Sequence, residues 1–147
     1  MAADKIDIGS SFYGQGYHQL SVSDSEKLKA TPLVGVYFSA HWCGPCRSFT
    51  PQLAEFYNKA KVSHPGQFEV VFASSDSSEE EFKSYFATMP WKSFKFDDAR
   101  IKDIKGQLQV GGIPTLTVIR PDGTVVVVEG DAEISQGVDA CIAQWSQ

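Results

Sequence analysis

The sequence predicts an α/β sandwich, a sheet flanked by helices, on three observations. Two short apolar runs, Leu33–Ser39 without any charge and Phe68–Ala73 with Glu69 as its one charged residue, have the composition of buried strands. Between them the apolar residues Phe49, Leu53, Phe56, Tyr57 and Ala60 recur at helical spacing. Cap and turn signals separate the segments, and 147 residues with 42% apolar content suffice for one core. Such a chain buries about 68–70% of its unfolded surface, so a single domain over residues 1–147 is expected.

Taken in order, Gly14-Gln15-Gly16 divides a short opening segment from Tyr17–Leu20, which reads as a hairpin or edge strand. Residues 1–22 are thus an extension and 23–147 the core. Ser23-Asp24-Ser25-Glu26 has capping-box spacing and predicts a short helix ending before Pro32. After the long helical pattern, Pro65-Gly66 is a break before the second buried strand. Ser78-Glu79-Glu80-Glu81 repeats the capping-box spacing ahead of Phe82, Tyr85 and Phe86 on one face. Asp97 or Asp98 caps a helix containing Ile101, Ile104 and Leu108. Leu116–Ile119 and Thr124–Val128 flank Pro121-Asp122-Gly123, a hairpin signal. Ile134, Val138, Ile142 and Trp145 form a closing helical pattern, in which Cys141 reads as a small buried hydrophobe.

The chemistry concentrates in Trp42-Cys43-Gly44-Pro45-Cys46-Arg47, where the first buried run gives way to the long helical pattern. Two thiols separated by two residues can close into a small disulfide and reopen, a reversible two-electron switch. The free N–H groups and positive dipole end of a helix start favour a thiolate at Cys43. Pro45 suits a first helical turn, and Gly44 is expected to let the backbone bend tightly between the sulfurs. Cys43 is therefore the expected nucleophile, and Cys46, one turn inside, the resolving thiol. A structural disulfide or half of a zinc site is the plainer alternative. No second Cys-x-x-Cys exists and His41 alone would not complete tetrahedral ligation, so no metal is expected. His41 could tune Cys43 or be an ordinary loop histidine, and Trp42 could form contact surface beside the sulfur.

These motifs resemble the thioredoxin superfamily: an apolar strand, Trp-Cys-Gly-Pro-Cys, a helix carrying Pro51, and a later Gly112-Ile113-Pro114-Thr115. The resemblance implies a thioredoxin fold with a central mixed sheet, a cis Ile113–Pro114 bond beside the disulfide, and substrate contact at Trp42, Gly44, Pro45, Ile113 and Pro114. Ordinary thioredoxins carry a buried acid six residues before the first cysteine, where this chain has Tyr37. Tyr37-Phe38-Ser39-Ala40-His41-Trp42, Arg47-Ser48-Phe49-Thr50-Pro51 and Met89-Pro90-Trp91 resemble tryparedoxins and nucleoredoxins over roughly residues 10–130. Two departures stand out: Gly44 where tryparedoxins usually have proline, and Ser75 where a tryptophan commonly precedes the acid, here Asp76. Tyr37 and Asp76 are then candidates, with His41, for tuning the thiols. The branch implies a thiol–disulfide oxidoreductase with no bound cofactor beyond the Cys43–Cys46 disulfide. It would be reduced by a low-molecular-weight dithiol, trypanothione, and would serve protein disulfides such as those of peroxiredoxins. A nucleoredoxin-like or thioredoxin-like protein would instead take electrons from a flavoprotein reductase or glutathione. A redox-sensitive binding module without catalytic flux is the reading from another class.

A net charge of −5 provides no basic face for nucleic acid and favours basic or neutral partners. Met-Ala-Ala-Asp-Lys-Ile-Asp-Ile lacks the apolar core of a signal peptide, and no run is long enough to span a membrane. A cytoplasmic monomer is the expectation, and three cysteines with one Cys-x-x-Cys favour redox catalysis over a structural disulfide framework.

Overall fold

The computed structural model of the chain describes residues 3–147; Met1 and Ala2, the start of the expected extension, lie outside the described residues. Seven strands form one mixed sheet: β1 (Tyr13–Gly14), β2 (His18–Gln19), β3 (Leu33–Ser39), β4 (Phe68–Ser74), β5 (Lys92–Ser93), β6 (Thr115–Ile119) and β7 (Val125–Val127). Their spatial order is β2-β1-β5-β4-β3-β6-β7. β3 pairs in parallel with β4 and antiparallel with β6, and β1–β2 is the expected edge hairpin. Five helices cover the sheet: α1 (Val22–Lys29), α2 (Gly44–Ser63), α3 (Glu79–Phe86), α4 (Ala99–Leu108) and α5 (Val138–Trp145). This is the thioredoxin fold expected from the sequence.

Alternation along β3 distributes its residues between two cores. Leu33 and Tyr37 join Leu53, Phe56 and Tyr57 of α2, Phe82 and Tyr85 of α3, and Trp145 of α5. Val34, Val36 and Phe38 point the other way, onto Leu28 of α1 and Ile101, Ile104 and Leu108 of α4. Every residue of β3 is buried, which is why its sequence is a continuous apolar run. Gly35 faces the first core at a close crossing, since a Cβ there would lie 2.7 Å from Leu116 Cδ1.

Ser78 and Asp98 cap α3 and α4 as expected, accepting from Glu81 N and Arg100 N. The cap of α1 differs. Ser21, not Ser23, takes the extended conformation and accepts from Asp24 N at 3.1 Å, because Ser21-x-x-Asp24 offers the same cap spacing one half-turn earlier. The closing helix is also shorter than its apolar periodicity. Gly137, at φ 99°, breaks it and leaves Ile134 in a separate 3-10 turn, Ile134–Gln136. The opening segment does more than add an edge: Ile6, Ile8 and Phe12 are buried in the second core. Ile6 N donates to Gly123 O at 3.0 Å across the β6–β7 turn. Gly123, at φ 88°, has no room for a Cβ, which would sit 2.2 Å from the Ile6 carbonyl oxygen.

Candidate active site

Cys43 ends the loop after β3 and is the N-cap of α2, with Gly44 as the first helical residue and Pro45 following inside the first turn. Cys43 and Cys46 are joined in a disulfide with Cα atoms 5.2 Å apart. Their burial is unequal: Cys43 retains 7% exposure and Cys46 none. Cys46 N donates to Cys43 Sγ at 3.3 Å, the side-chain cap that a helix start offers to an electron-rich atom. Gly44 corrects an expectation. It is helical, without a positive φ, and a Cβ at this position would meet nothing within 4 Å, so its conformational freedom does not make the bend.

Ile113–Pro114 is cis, as the motif implied. The Ile113 side chain packs against Ala40, Cys43 and Cys46, and its carbonyl oxygen lies 3.9 Å from Cys43 Sγ. Trp42 stands beside them at 59% exposure, its indole N–H held by the Ser75 carbonyl at 3.2 Å. Among the sequence candidates, the fold brings Cys43, Cys46 and Ile113 into contact, with Trp42 and Pro114 adjacent in the chain.

Tyr37, Asp76 and His41 do not touch the sulfurs among the described contacts. Asp76 Oδ1 accepts from the backbone N of His41 at 2.8 Å and Oδ2 from Ser74 Oγ at 2.7 Å, so it holds the loop that carries Trp42. The His41 ring packs edge-on against Tyr85, 5.7 Å between centroids. Tyr37 reaches beneath the first turn of α2. Its hydroxyl lies 2.7 Å from Thr50 Oγ1 and 3.4 Å from the Cys46 carbonyl oxygen. Thr50 Oγ1 donates to that carbonyl at 3.0 Å and also meets Tyr85 OH at 2.7 Å, which in turn meets Ser39 Oγ at 2.8 Å. An orientation in which Ser39 donates to Tyr85, Tyr85 and Tyr37 to Thr50, and Thr50 to the Cys46 carbonyl satisfies every proton. Burial pushes the Tyr37 phenol well above its ordinary pKa, so the chain is uncharged.

Ser39 and Thr50 lie within the tryparedoxin-like runs, but no motif assigns a role to them or to Tyr85. Their signals are positional: Thr50 is four residues after Cys46 and shares its helix face, and Tyr85 is the polar-tipped member of an apolar stripe. A groove of about 990 Å³ opens beside this network, from His41 and Arg47 along α2 to Val62, with Tyr85 and Thr88 on its far wall. Among the described residues no group of three or more His, Cys, Asp or Glu side chains gathers to hold a metal ion. No helix among them is long and apolar enough to cross a membrane.

The arrangement of sheet, N-capping cysteine and cis-proline loop can be set against known proteins. Residues 32–125 match the profile of the thioredoxin-like family. The chain belongs to that family. Tryparedoxin from Trypanosoma brucei brucei is 37% identical over 130 residues, 84% of this chain and 89% of that protein. Nucleoredoxin from Homo sapiens is 46% identical over 114 residues, 76% of this chain but 26% of that protein. The chain thus spans about a quarter of the length of the nucleoredoxins it matches. A solved structure of tryparedoxin II complexed with glutathionylspermidine has a TM-score of 0.78 at 31% identity, over 90% of this chain and 89% of that one. The expected resemblance to tryparedoxins and nucleoredoxins is borne out, and the chain is a thioredoxin-like protein that carries a Cys43–Cys46 disulfide.

Proposed function

We propose that the chain reduces protein disulfides by a two-step exchange with Cys43 as nucleophile and Cys46 as resolving thiol. The observation that carries the reading is the unequal burial of the pair, with Cys43 partly accessible and Cys46 enclosed. In the reduced protein the Cys43 thiolate attacks one sulfur of a partner disulfide. A Cys43–partner disulfide forms and the partner's other sulfur leaves as a thiolate. Cys46, after losing its proton, attacks Cys43 Sγ; the mixed disulfide breaks and the second partner thiolate departs. Two electrons pass to the partner, and the Cys43–Cys46 disulfide seen in the structure is the product. The helix start and the Cys46 N–H support the Cys43 thiolate. Exposed Trp42, with Gly44, Pro45, Ile113 and Pro114, forms the surface against which the partner chain lies.

For the reductant, the tryparedoxin relationship favours a low-molecular-weight dithiol, trypanothione, with peroxiredoxin-type peroxidases as acceptors, and a tryparedoxin structure complexed with glutathionylspermidine supports a donor of that chemistry. The 46% identity to nucleoredoxin favours a second reading, in which a flavoprotein reductase or glutathione restores the dithiol. Parallel reduction of the oxidised protein by trypanothione, glutathione and thioredoxin reductase separates the two. For the exchange itself, Cys46→Ser should trap a mixed disulfide on Cys43 and Cys43→Ser should not react. An adduct found by mass spectrometry on Cys46 would reverse the roles. Stoichiometric binding without turnover in an insulin-reduction assay would instead mark a binding module.

A further inference from the structure

Lys105 occupies an unusual place for a lysine of α4. Neighbouring Ile101, Ile104 and Leu108 are buried in the second core, and Lys105 extends along the border of that stripe to the active-site loop. Its ammonium donates to Ser75 Oγ at 2.8 Å. The same residue's carbonyl receives the Trp42 indole N–H at 3.2 Å, so Ser75 joins the ammonium to the exposed ring beside Cys43. An ammonium has three donors, and Ser75 uses one. Among the described residues no carboxylate lies within 4.0 Å of Lys105 Nζ, although seven other ion pairs meet that distance. The nearest carboxylate in sequence to its partner, Asp76, has both oxygens engaged by His41 N and Ser74 Oγ. Lys105 is half-buried, and burial lowers its pKa, the mark of an ammonium that has lost part of its hydration without gaining a counter-charge. Such a group interacts with an arriving carboxylate more strongly than a solvated surface lysine would.

We propose that Lys105 is a specificity-determining residue, which favours partners presenting a carboxylate beside the disulfide that Cys43 attacks. The inference rests on the exchange reading above and names a substrate preference for the same site. It also runs against the chain's net charge of −5, which taken alone would favour basic partners. The carboxylate could belong to an acidic side chain of a polypeptide or to a small peptide thiol.

The test measures kcat/KM for three disulfide peptides with blocked termini, differing only in Glu, Gln or Lys beside the cysteine, and for glutathione disulfide against its carboxyl-esterified form. The intact chain should prefer the Glu peptide over the Gln peptide by about threefold to tenfold, the Lys peptide being poorest. Lys105→Met should collapse the Glu-to-Gln ratio to about one whatever happens to the absolute rate, and Lys105→Arg should keep it. A drop shared equally by all three peptides would mean that Lys105 only braces Ser75 and would overturn the proposal, as would equal rates for the intact chain. Discrimination confined to glutathione disulfide and its ester would assign the small-peptide source; discrimination confined to the blocked peptides would assign the polypeptide. No turnover with any disulfide would overturn the exchange reading along with it.

Discussion

The hydroxyl chain beneath Cys46 makes a contrast between two near-isosteric substitutions. Tyr37 is fully buried, and with the proton directions assigned above it donates to Thr50 Oγ1 at 2.7 Å. Tyr37→Phe removes that donor and orphans nothing, because Thr50 still accepts from Tyr85 and donates to the Cys46 carbonyl. The expected cost is one net hydrogen bond, about 1 kcal/mol. Thr50→Val keeps the shape but removes the junction: Tyr37 and Tyr85 lose their acceptor and the Cys46 carbonyl loses its shorter side-chain donor. Tyr85 can turn to Ser39 at 2.8 Å, whereas Tyr37 retains only the 3.4 Å approach to the Cys46 carbonyl. A buried donor left so poorly paired, added to the lost bonds, should raise the cost to about 2–3 kcal/mol. Urea unfolding of the oxidised proteins measures both, and in heating each kcal/mol corresponds to roughly 2–4 °C for a chain of this size. If Thr50→Val proves no more costly than Tyr37→Phe, Thr50 is not the junction and the assigned proton directions are wrong.

Other consequences follow from burial and backbone geometry. Leu53→Ala, at a position with no exposure, should cost about 2–5 kcal/mol in the same unfolding experiment, and a cost below about 1 kcal/mol would contradict its place in the first core. Gly44→Ala should stabilise by about 0.4–1 kcal/mol, since the residue is helical with open space at Cβ; destabilisation would show that its backbone is not as described. Burial, with Glu133 nearby, pushes the Cys141 thiol up to about 11. The folded state therefore holds this proton more tightly than the unfolded chain, so the stability it contributes is intact below about pH 9 and is lost as pH rises toward 11. Cys141→Ala should flatten the stability profile over that window, and an unchanged slope would remove Cys141 as a contributor.

Elements whose evidence is local were readable in the sequence. The buried run of β3, the caps Ser78 and Asp98 and the Pro121-Asp122-Gly123 turn all carry their reason within a few residues. What escaped depends on choices between equivalent local signals or on distant partners. Ser21 and Ser23 present similar cap spacings, and only the course of the chain selects the first. The helical periodicity of Ile134, Val138, Ile142 and Trp145 persists through a backbone break at Gly137, because side-chain spacing does not report φ. A turn role for Gly44 follows from residue type alone, whereas the first position of a helix requires no special conformation. The site divides the same way. Cys43, Cys46, Ile113 and Pro114 are marked by motif, while Thr50, Tyr85, Ser39 and Lys105 acquire these contacts across 30 to 46 positions of sequence.

Position 37 shows how strand alternation feeds into redox chemistry. Because Leu33 and Tyr37 share a face of β3, whatever occupies position 37 must end under the first turn of α2, close to Cys46. A carboxylate there would add a negative charge whose titration couples to the thiols. A phenol held above its ordinary pKa adds none, and the hydroxyls of Thr50 and Ser39 carry no charge. The support for a Cys43 thiolate then comes from the helix start and the Cys46 N–H, not from the group that replaces the acid. Tyr37→Phe exchanges one neutral group for another, so the thiolate absorbance of the reduced protein should titrate at the same pH in both proteins even as stability falls. A displacement of the Cys43 midpoint by more than about one pH unit, equivalent to roughly 1.4 kcal/mol between protonation states, would show that the Tyr37 hydroxyl acts on the thiol directly.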